Sequence, residues 1–214
     1  MKNKKLDIII LIVWLSIALL IFSIKLIDVK LYEITNSYIG LYSINKIFLF
    51  TNNKNIFFEI ISNFIFIFCL IIILLKLSFI FYEYVKNKKV SKTSINFTIH
   101  FIIMILIWII FDKIIIINYR PILINYNLEG SFPSTHVMLS TFILLFLNHN
   151  IKNKNYKSKI VNIIIFILIV LQSISRILLQ VHWFTDVLGG LLIGILLFLT
   201  YLRRENGFNI NVSK

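Results

Sequence analysis

The chain is poor in cysteine, proline, glycine, alanine and acidic residues. Its 214 residues include one Cys, two Pro, six Gly, and nine Asp and Glu together. Cys69 has no partner in the chain, which excludes an internal disulfide and a thiolate metal cluster. Ala18 is the only alanine, so no small-residue cleavage site follows the first apolar run. We therefore interpret that run as an uncleaved membrane span.

Apolar residues dominate the rest of the sequence. They make up 59% of it, and the mean hydropathy of +0.91 is too high for a soluble globule of this length. No Gly/Ser-rich linker and no fixed-period repeat occurs, so we predict a single domain over residues 1–214. A crossing helix needs about 20 apolar residues. We predict an all-α, polytopic membrane bundle with six transmembrane helices, near 8–24, 56–75, 94–111, 136–150, 160–179 and 184–202.

The formal net charge of +13 comes from short basic clusters between the apolar runs. This pattern indicates membrane topology and not a nucleic-acid partner. The positive-inside rule then predicts a cell (inner) membrane protein with both termini in the cytoplasm. The cytoplasmic clusters are Lys2, Lys4, Lys5, Lys86, Lys88, Lys89, Lys92, Lys152, Lys154, Lys157, Lys159, Arg203, Arg204 and Lys214, while the outer loop 25–55 carries Lys25, Lys30, Lys46 and Lys54.

The outer loop 25–55 is more polar than its flanks and rich in aromatic residues. Two interpretations stay open: a short amphipathic helix in the membrane interface, or an ordinary loop. The aromatic residues are Tyr32, Tyr38, Tyr42, Phe48 and Phe50.

Four polar residues stand apart from the basic clusters. Glu59 and Asn63 are four apart and either reach into a cavity or lie at the headgroups. We interpret His100 as a helix-packing histidine and expect His149 to be solvated.

The segment SISRILLQVHWFTDVLGG, residues 173–190, places charge between two apolar runs. Ionisable groups near bilayer depth are costly, which favours a functional site in a wet cavity. His182 and Asp186 are four apart and share a face on a helix, so the carboxylate can bind one imidazole nitrogen and leave the other as nucleophile or base. Arg176 offers a planar donor fork for phosphate. The alternative is a structural Arg–Asp pair with an interfacial histidine.

The third span ends in FDKIIIINYRP. Lys113 and Arg120 lie ~10 Å apart along one face if the helix continues, and closer together if it unwinds. Pro121 then stops the helix. Two cations on the outer side suggest a bound anion, whereas snorkelling to headgroups is the alternative.

The segment GSFPSTH, residues 130–136, precedes the fourth span. We predict that Ser134 caps the helix and that the first backbone amides bind an anion within reach of His136. The alternative is a plain capped helix start. All three segments fall on the outer side of the predicted topology, and together they predict one phosphate site.

These segments match a three-part family signature, K-x6-RP, PSGH and SR-x5-H-x3-D. The chain reads KIIIINYRP, PSTH and SRILLQVHWFTD, and it resembles the type 2 phosphatidic acid phosphatase superfamily of lipid and acid phosphatases. Thr135 replaces the usual glycine. If its backbone amide contacts the phosphate, its side chain must point away from it.

The resemblance implies a reaction mechanism and a set of site residues. His182 is the expected nucleophile, Asp186 orients its ring, and His136 is the general acid and base. The resemblance implies no metal and no cofactor, because fixed cations stabilise the phosphoryl charge. The expected phosphate-binding residues are Lys113, Arg120, Ser134, Thr135 and Arg176.

The expected partners are the bilayer and a lipid phosphate substrate, with the site at the outer interface. Candidates are undecaprenyl diphosphate first, then phosphatidylglycerophosphate, phosphatidic acid and lipid A. Alternative functions are phosphotransfer to a lipid hydroxyl and, less favoured, transport of a phospholipid. Gly189, Gly190 and Gly194 are expected to let the sixth span pack closely on its neighbours.

Overall fold

A computed structural model describes residues 2–49, 56–123, 127–152 and 158–212. Predictions made for Phe50, Lys54, Lys154, Lys157 and Lys214 lie outside the described residues. The elements in chain order are α1 (Lys2–Leu26), β1 (Lys30–Tyr32), β2 (Ser37–Ile39), α2 (Tyr42–Ile47), α3 (Ile56–Asn87), α4 (Lys92–Ile109) with a π-helical end (Ile110–Ile114), α5 (Thr135–Lys152), α6 (Ser158–Leu178) and α7 (Phe184–Val212).

The molecule is a helical membrane bundle, as the apolar runs predict. Within the described part of the chain, 5 helices are long and apolar enough to cross a bilayer: α1, α3, α4 with its π-helical end, α6 and α7. The expected fourth span is α5, whose 18 residues include polar side chains near both ends. Because α5 packs against α3, α6 and α7, it does not need a uniformly apolar surface. The six-span count therefore stays a prediction for α5.

The core lies between the long helices and is centred on α5. Phe142, Ile143 and Leu144 are completely buried there, and Phe97 of α4 packs against Phe142 and its neighbours. Helix α1 is peripheral, with most of its apolar side chains facing outward.

Two glycines explain how closely α7 approaches α5. A Cβ on Gly190 would stand 2.7 Å from the Ser134 carbonyl oxygen, and one on Gly194 would stand 2.7 Å from Cβ of Thr141. Real Cβ atoms do not make such contacts, so only glycine permits this spacing. The predicted packing role of these glycines is confirmed.

Ion pairs connect helices at the end of the bundle that carries the chain termini. Arg203 near the end of α7 pairs with Asp7 of α1, at 2.5 Å between Nε and Oδ1. His149 Nε2 lies 2.7 Å from Glu205 Oε2 and is three-quarters buried, so the expectation of a solvated His149 is wrong. A histidine at this helix end is enclosed because α7 extends past α5.

His100 packs between helices, as expected. Its Nδ1 lies 2.9 Å from the Asn96 carbonyl oxygen, and its ring meets Tyr201 edge-on at 5.8 Å.

The outer loop combines a two-stranded antiparallel hairpin with the short helix α2. Gly40 follows the hairpin, and any Cβ there would overlap the backbone of Ile24 in α1. Helix α2 buries Asn45 against the bundle, while Tyr38 in the hairpin stays exposed. The described part is therefore a folded cover on the protein rather than a free interfacial helix.

The third span, predicted near 94–111, extends in the structure to Ile114 but does not continue to Arg120. The π-helical turn stops at Ile114, and an extended segment follows to Arg120. The prediction that Pro121 stops the helix is wrong, because the chain has already left the helix to meet 127–131.

Candidate active site

His182 and Asp186 form the centre of the site at the end of the bundle that carries the outer loop. His182 lies in the turn before α7, and Asp186 lies in the first turn of that helix. Their side chains are 2% and 0% exposed, with 3.8 Å between His182 Nδ1 and Asp186 Oδ2. The two side chains are therefore adjacent, across a helix start rather than within a helix, but the predicted hydrogen bond between them is absent, because 3.8 Å is too long for one.

Two amide donors stabilise the buried carboxylate. The backbone N–H of Trp183 donates to Asp186 Oδ2 at 2.9 Å, and Asn118 Nδ2 donates to Oδ1 at 3.4 Å. Burying an ion without such partners costs several kcal/mol. Asn118 lies inside the K-x6-RP segment, at one of its variable positions, so the signature gave no signal for it.

A reversal after α6 carries His182 into the site. Gln180 adopts a left-handed backbone, φ 58°, and its N–H donates to the Ile177 carbonyl at 2.9 Å. The indole Nε1 of Trp183 then donates to the Tyr119 carbonyl at 2.7 Å. This bond joins the 175–186 segment to the segment that carries Arg120.

The imidazole of His182 is held in its neutral form. Burial lowers its pKa well below the ordinary histidine value, and the positive charges of Arg176 and Arg120 lower the pKa further. No hydrogen bond of normal geometry reaches either ring nitrogen from the described residues, although the Ser131 backbone lies close enough to oppose part of this lowering of the pKa. A neutral ring with a free nitrogen is suited to nucleophilic attack.

Arg120 stands at the rim of the site. Its Nε lies 3.2 Å from Glu129 Oε2, and its Nη1 donates to the Val181 carbonyl at 3.4 Å, next to His182. A backbone bridge between Tyr119 and Gly130 fixes this arrangement. The bridge brings the 113–121 and 130–136 segments together.

Arg176 enters from the last turn of α6 and is buried. Its Nη1 donates to Ser62 Oγ of α3 at 3.5 Å, and Gln172 donates to the same oxygen at 3.2 Å. Its Nε has no hydrogen-bond partner in the described ranges. Ser62 was missed, because one serine in an apolar helix gives no signal.

Glu59 and Asn63, which were considered for a cavity, are both exposed.

Ser134 is completely buried at the start of α5. Its backbone N–H donates to the Asp186 carbonyl at 3.0 Å. Its hydroxyl has no partner within the described chain, so the predicted side-chain cap is wrong. The bond from the Ser134 N–H to the Asp186 carbonyl instead joins the start of α5 to the first turn of α7.

His136 stands in the first turn of α5, after Thr135. Its ring stacks on Phe66 of α3, with 4.1 Å between ring centres, and its Nδ1 is unpaired in the part of the molecule that is described. It interacts electrostatically with Arg176, His182 and Arg120. The two site histidines therefore belong to one charged cluster.

Lys113 is the least enclosed of the expected site residues. Its side chain is 72% exposed, and its Nζ lies 2.8 Å from Asp112 Oδ2. The structure brings it to the mouth of the site but not to His182.

Two cavities meet at this cluster. A small one of about 30 Å³ reaches His182 and is lined by Trp108, Asp112, Arg120, Gly130, Ser131, Phe132, Pro133, Thr135 and His182. A larger one of about 430 Å³ is lined by Phe66, Phe101, Met104, Ile105, Trp108, Asp112, Lys113, Arg120, Glu129, Thr135, His136, Met138 and Leu139. Four residues line both cavities and stand between the buried histidine and an amphipathic cavity: Trp108, Asp112, Arg120 and Thr135.

No group of three or more His, Cys, Asp and Glu side chains with the spacing of a metal site occurs in the described residues. The basic side chains at the site are Arg120, Arg176 and Lys113.

Comparison with known proteins gives a consistent result. Over a 72-residue match, the chain is 43% identical to phosphatidylglycerophosphatase B of Bacillus subtilis (strain 168), covering 32% of this chain and 36% of that protein. The match thus spans about a third of the curated relative's length. The crystal structure of a transmembrane PAP2-type phosphatidylglycerolphosphate phosphatase from Bacillus subtilis superposes with a TM-score of 0.57, at 22% identity, over 99% of this chain and 97% of that one.

The family model described as the PAP2 superfamily matches residues 61–209, well over half of the sequence. The match includes all three signature segments. The chain belongs to the PAP2 superfamily.

Proposed function

We propose that this chain is a membrane lipid phosphatase that hydrolyses a lipid phosphomonoester or diphosphate through a phosphohistidine on His182. One arrangement carries the proposal: a buried, neutral His182 stands beside Asp186, with Arg120 between it and an amphipathic cavity. The family membership supports the same chemistry.

In the first step, the free nitrogen of His182 attacks phosphorus. A P–N bond forms and the P–O bond to the leaving group breaks. The leaving group is the lipid alcohol of a monoester or the lipid monophosphate of a diphosphate. His136 gives a proton to the leaving oxygen. The ring gains positive charge as the bond forms. The carboxylate of Asp186, 3.8 Å from Nδ1, stabilises that charge.

In the second step, water replaces the histidine. His136 takes a proton from the water, the oxygen attacks phosphorus, and the P–N bond breaks to release inorganic phosphate. Both steps balance without a metal or an oxidant.

The arginines have separate positions around the phosphoryl group. Arg120 is fixed at the rim by Glu129 and the Val181 carbonyl, and Arg176 approaches from α6. Both offer N–H donors to the equatorial oxygens, where charge builds up. Lys113 has a long, exposed side chain and assists at the mouth. Thr135 lines both cavities and is proposed to contact the phosphate through its backbone.

The larger cavity supports a lipid substrate. Its lining combines the apolar side chains of Phe66, Phe101 and Met104 with charged ones, the cations Lys113 and Arg120 and the acidic Asp112 and Glu129. An acyl or prenyl chain fits the apolar side chains and a phosphate fits the cations. The name of the Bacillus subtilis relative adds phosphatidylglycerophosphate to the foremost candidates beside undecaprenyl diphosphate, with phosphatidic acid and lipid A phosphates behind.

We propose a cell-membrane location with cytoplasmic termini and an extracytoplasmic site. The basic clusters support this orientation, and the site lies at the end of the bundle opposite the Asp7–Arg203 pair.

The test is phosphate release by the purified full-length protein in detergent micelles, measured with the four candidate lipids side by side. We expect release from at least one lipid without any acceptor alcohol, and none from His182→Asn. Absence of free phosphate from every lipid, with phosphate appearing on an added lipid alcohol, would instead identify a phosphotransferase.

A further inference from the structure

The described part of the outer loop covers the turn that carries His182. Residues 30–49, named here the outer clasp, contain the hairpin and α2. Tyr32 meets Trp183 edge-on, with 5.1 Å between ring centres, and Phe48 stacks on Phe184 at 4.6 Å. The clasp therefore contacts both residues that follow His182 in the chain.

Asn45 is the polar centre of this contact and is 1% exposed. Its Oδ1 accepts a hydrogen bond from the Thr185 backbone N–H at 3.2 Å. Its Nδ2 donates to Thr185 Oγ1 at 3.1 Å and to the Gly40 carbonyl at 2.9 Å. Both ends of the carboxamide are thus engaged, and two of its three bonds end on Thr185.

These bonds supply a cap that α7 lacks in its own sequence. The residue before the helix is Trp183, which has no short oxygen-bearing side chain, although the first backbone N–H groups of a helix need acceptors. Asp186 accepts the Trp183 N–H, which is one half of a capping box. Asn45, from a segment 140 positions away, provides the other half by accepting the Thr185 N–H.

The Thr185 hydroxyl links the clasp to the carboxylate. Asn118 Nδ2 lies 3.5 Å from Thr185 Oγ1 and 3.4 Å from Asp186 Oδ1. The chain of contacts therefore runs from Asn45 through Thr185 and Asn118 to the group that orients His182.

We propose that Asn45 is a positioning residue for the reaction, and that the outer clasp holds the first turn of α7 so that Asp186 stays in place beside His182. The catalytic consequence rests on the proposed function, whereas the capping contact does not. A displacement of about 1 Å at a reacting group can cost on the order of 10²-fold in rate. We expect Asn45→Ala to lower the rate of phosphorylation at each active site by roughly tenfold or more.

The experiment compares two variants of the full-length protein with a matched control. Asn45→Ala removes all three bonds, and Asn45→Asp keeps an acceptor for the Thr185 N–H. Ser37→Ala is the control, because Ser37 is a buried polar residue of the same clasp whose hydroxyl bonds only to Thr35 Oγ1, at 2.8 Å, in the described residues.

Two quantities separate positioning from general destabilisation. Hydrogen exchange of the 183–187 backbone reports on the cap, whether or not the protein is a phosphatase. The amplitude of the phosphoenzyme burst gives the number of intact active sites. The rate of phosphorylation per intact site is therefore not affected by protein that has unfolded. We expect Asn45→Ala to raise the exchange and lower the rate per site, Asn45→Asp to recover part of both, and Ser37→Ala to change neither.

The outcomes are distinct. The capping contact would be overturned if hydrogen exchange in Asn45→Ala matched that in Ser37→Ala. The positioning role would be overturned if Asn45→Ala raised the exchange but kept a rate per site within twofold of the parent protein. Failure of the parent protein to release phosphate would overturn the proposed function, and the exchange data would still decide the cap.

Discussion

The carboxylate of Asp186 and the ring of His182 face each other across the start of α7, with 3.8 Å between Oδ2 and Nδ1. The same oxygen accepts the Trp183 N–H at 2.9 Å. This backbone hydrogen bond holds the carboxylate in place beside the histidine. It also stabilises a charged group that is buried at the start of a helix.

Asp186→Asn should nearly abolish turnover. The amide has the same shape but no charge, so it cannot stabilise the cationic ring that forms on attack. We expect kcat to fall roughly 10²- to 10⁴-fold, as when the carboxylate that orients a catalytic histidine is replaced. The measurement is steady-state phosphate release, with Asp7→Asn as control because its ion pair with Arg203 lies at the other end of the bundle. A kcat within threefold of the parent protein would remove Asp186 from the mechanism.

His136→Ala should have an effect that depends on the leaving group. A lipid alkoxide needs a proton to leave, and general acid catalysis contributes about 10²- to 10⁴-fold. An aryl phosphate such as p-nitrophenyl phosphate releases a stable anion and needs no acid. We expect the variant to release a burst of nitrophenol and then turn over slowly, while it fails on lipid phosphates at both stages. Equal loss of the burst with both substrates would contradict the role of His136 as general acid.

The pH dependence should reflect the lowered pKa of His182. The neutral ring is the nucleophile, so kcat/KM should keep its value as the pH falls to about 6.5, the ordinary pKa of histidine, and decline only below it.

The stability of the folded protein should also fall in acid. Below pH 6.5 the unfolded chain binds a proton at this position and the folded protein does not, so acid lowers the free energy of unfolding until the pH reaches the folded pKa.

The comparison variant for this effect is His182→Asn, which cannot titrate at that position. Its melting temperature should fall less than that of the parent protein between pH 7 and pH 5. Parallel curves for the two proteins would mean that His182 does not carry a lowered pKa.

Chelation should leave activity unchanged. The proposed steps draw their positive charge from Arg120, Arg176 and Lys113, and these charges do not depend on a bound ion. Phosphate release after dialysis against EDTA should match that of the untreated protein. A large loss that zinc or magnesium restores would show that a metal takes part.

Much of this molecule could be predicted from sequence, because its signals are local. Long apolar runs predict membrane helices, and the three signature segments predict the family. The close packing at Gly190 and Gly194 could be predicted as well, since small residues on one helix face indicate contact.

The errors arose where tertiary contacts decide local structure. The helix that carries Lys113 ends before Pro121, because the segment to Arg120 pairs with the residues around Gly130. Ser134 does not cap α5 with its hydroxyl, and its N–H is bonded instead to the Asp186 carbonyl of α7, a contact between segments that are far apart in sequence.

The outer clasp could not be predicted at all. Asn45 and Thr185 are 140 residues apart, and neither stands out in its own segment.

The most direct test is to trap the phosphoenzyme and locate the phosphate. The parent protein is mixed with a 32P-labelled lipid phosphate and quenched in alkali, which preserves phosphohistidine, and the labelled peptide is sequenced. We predict label on His182 and none on the His182→Asn variant. Label at another residue, or phosphate release without any labelled intermediate under single-turnover conditions, would contradict the mechanism.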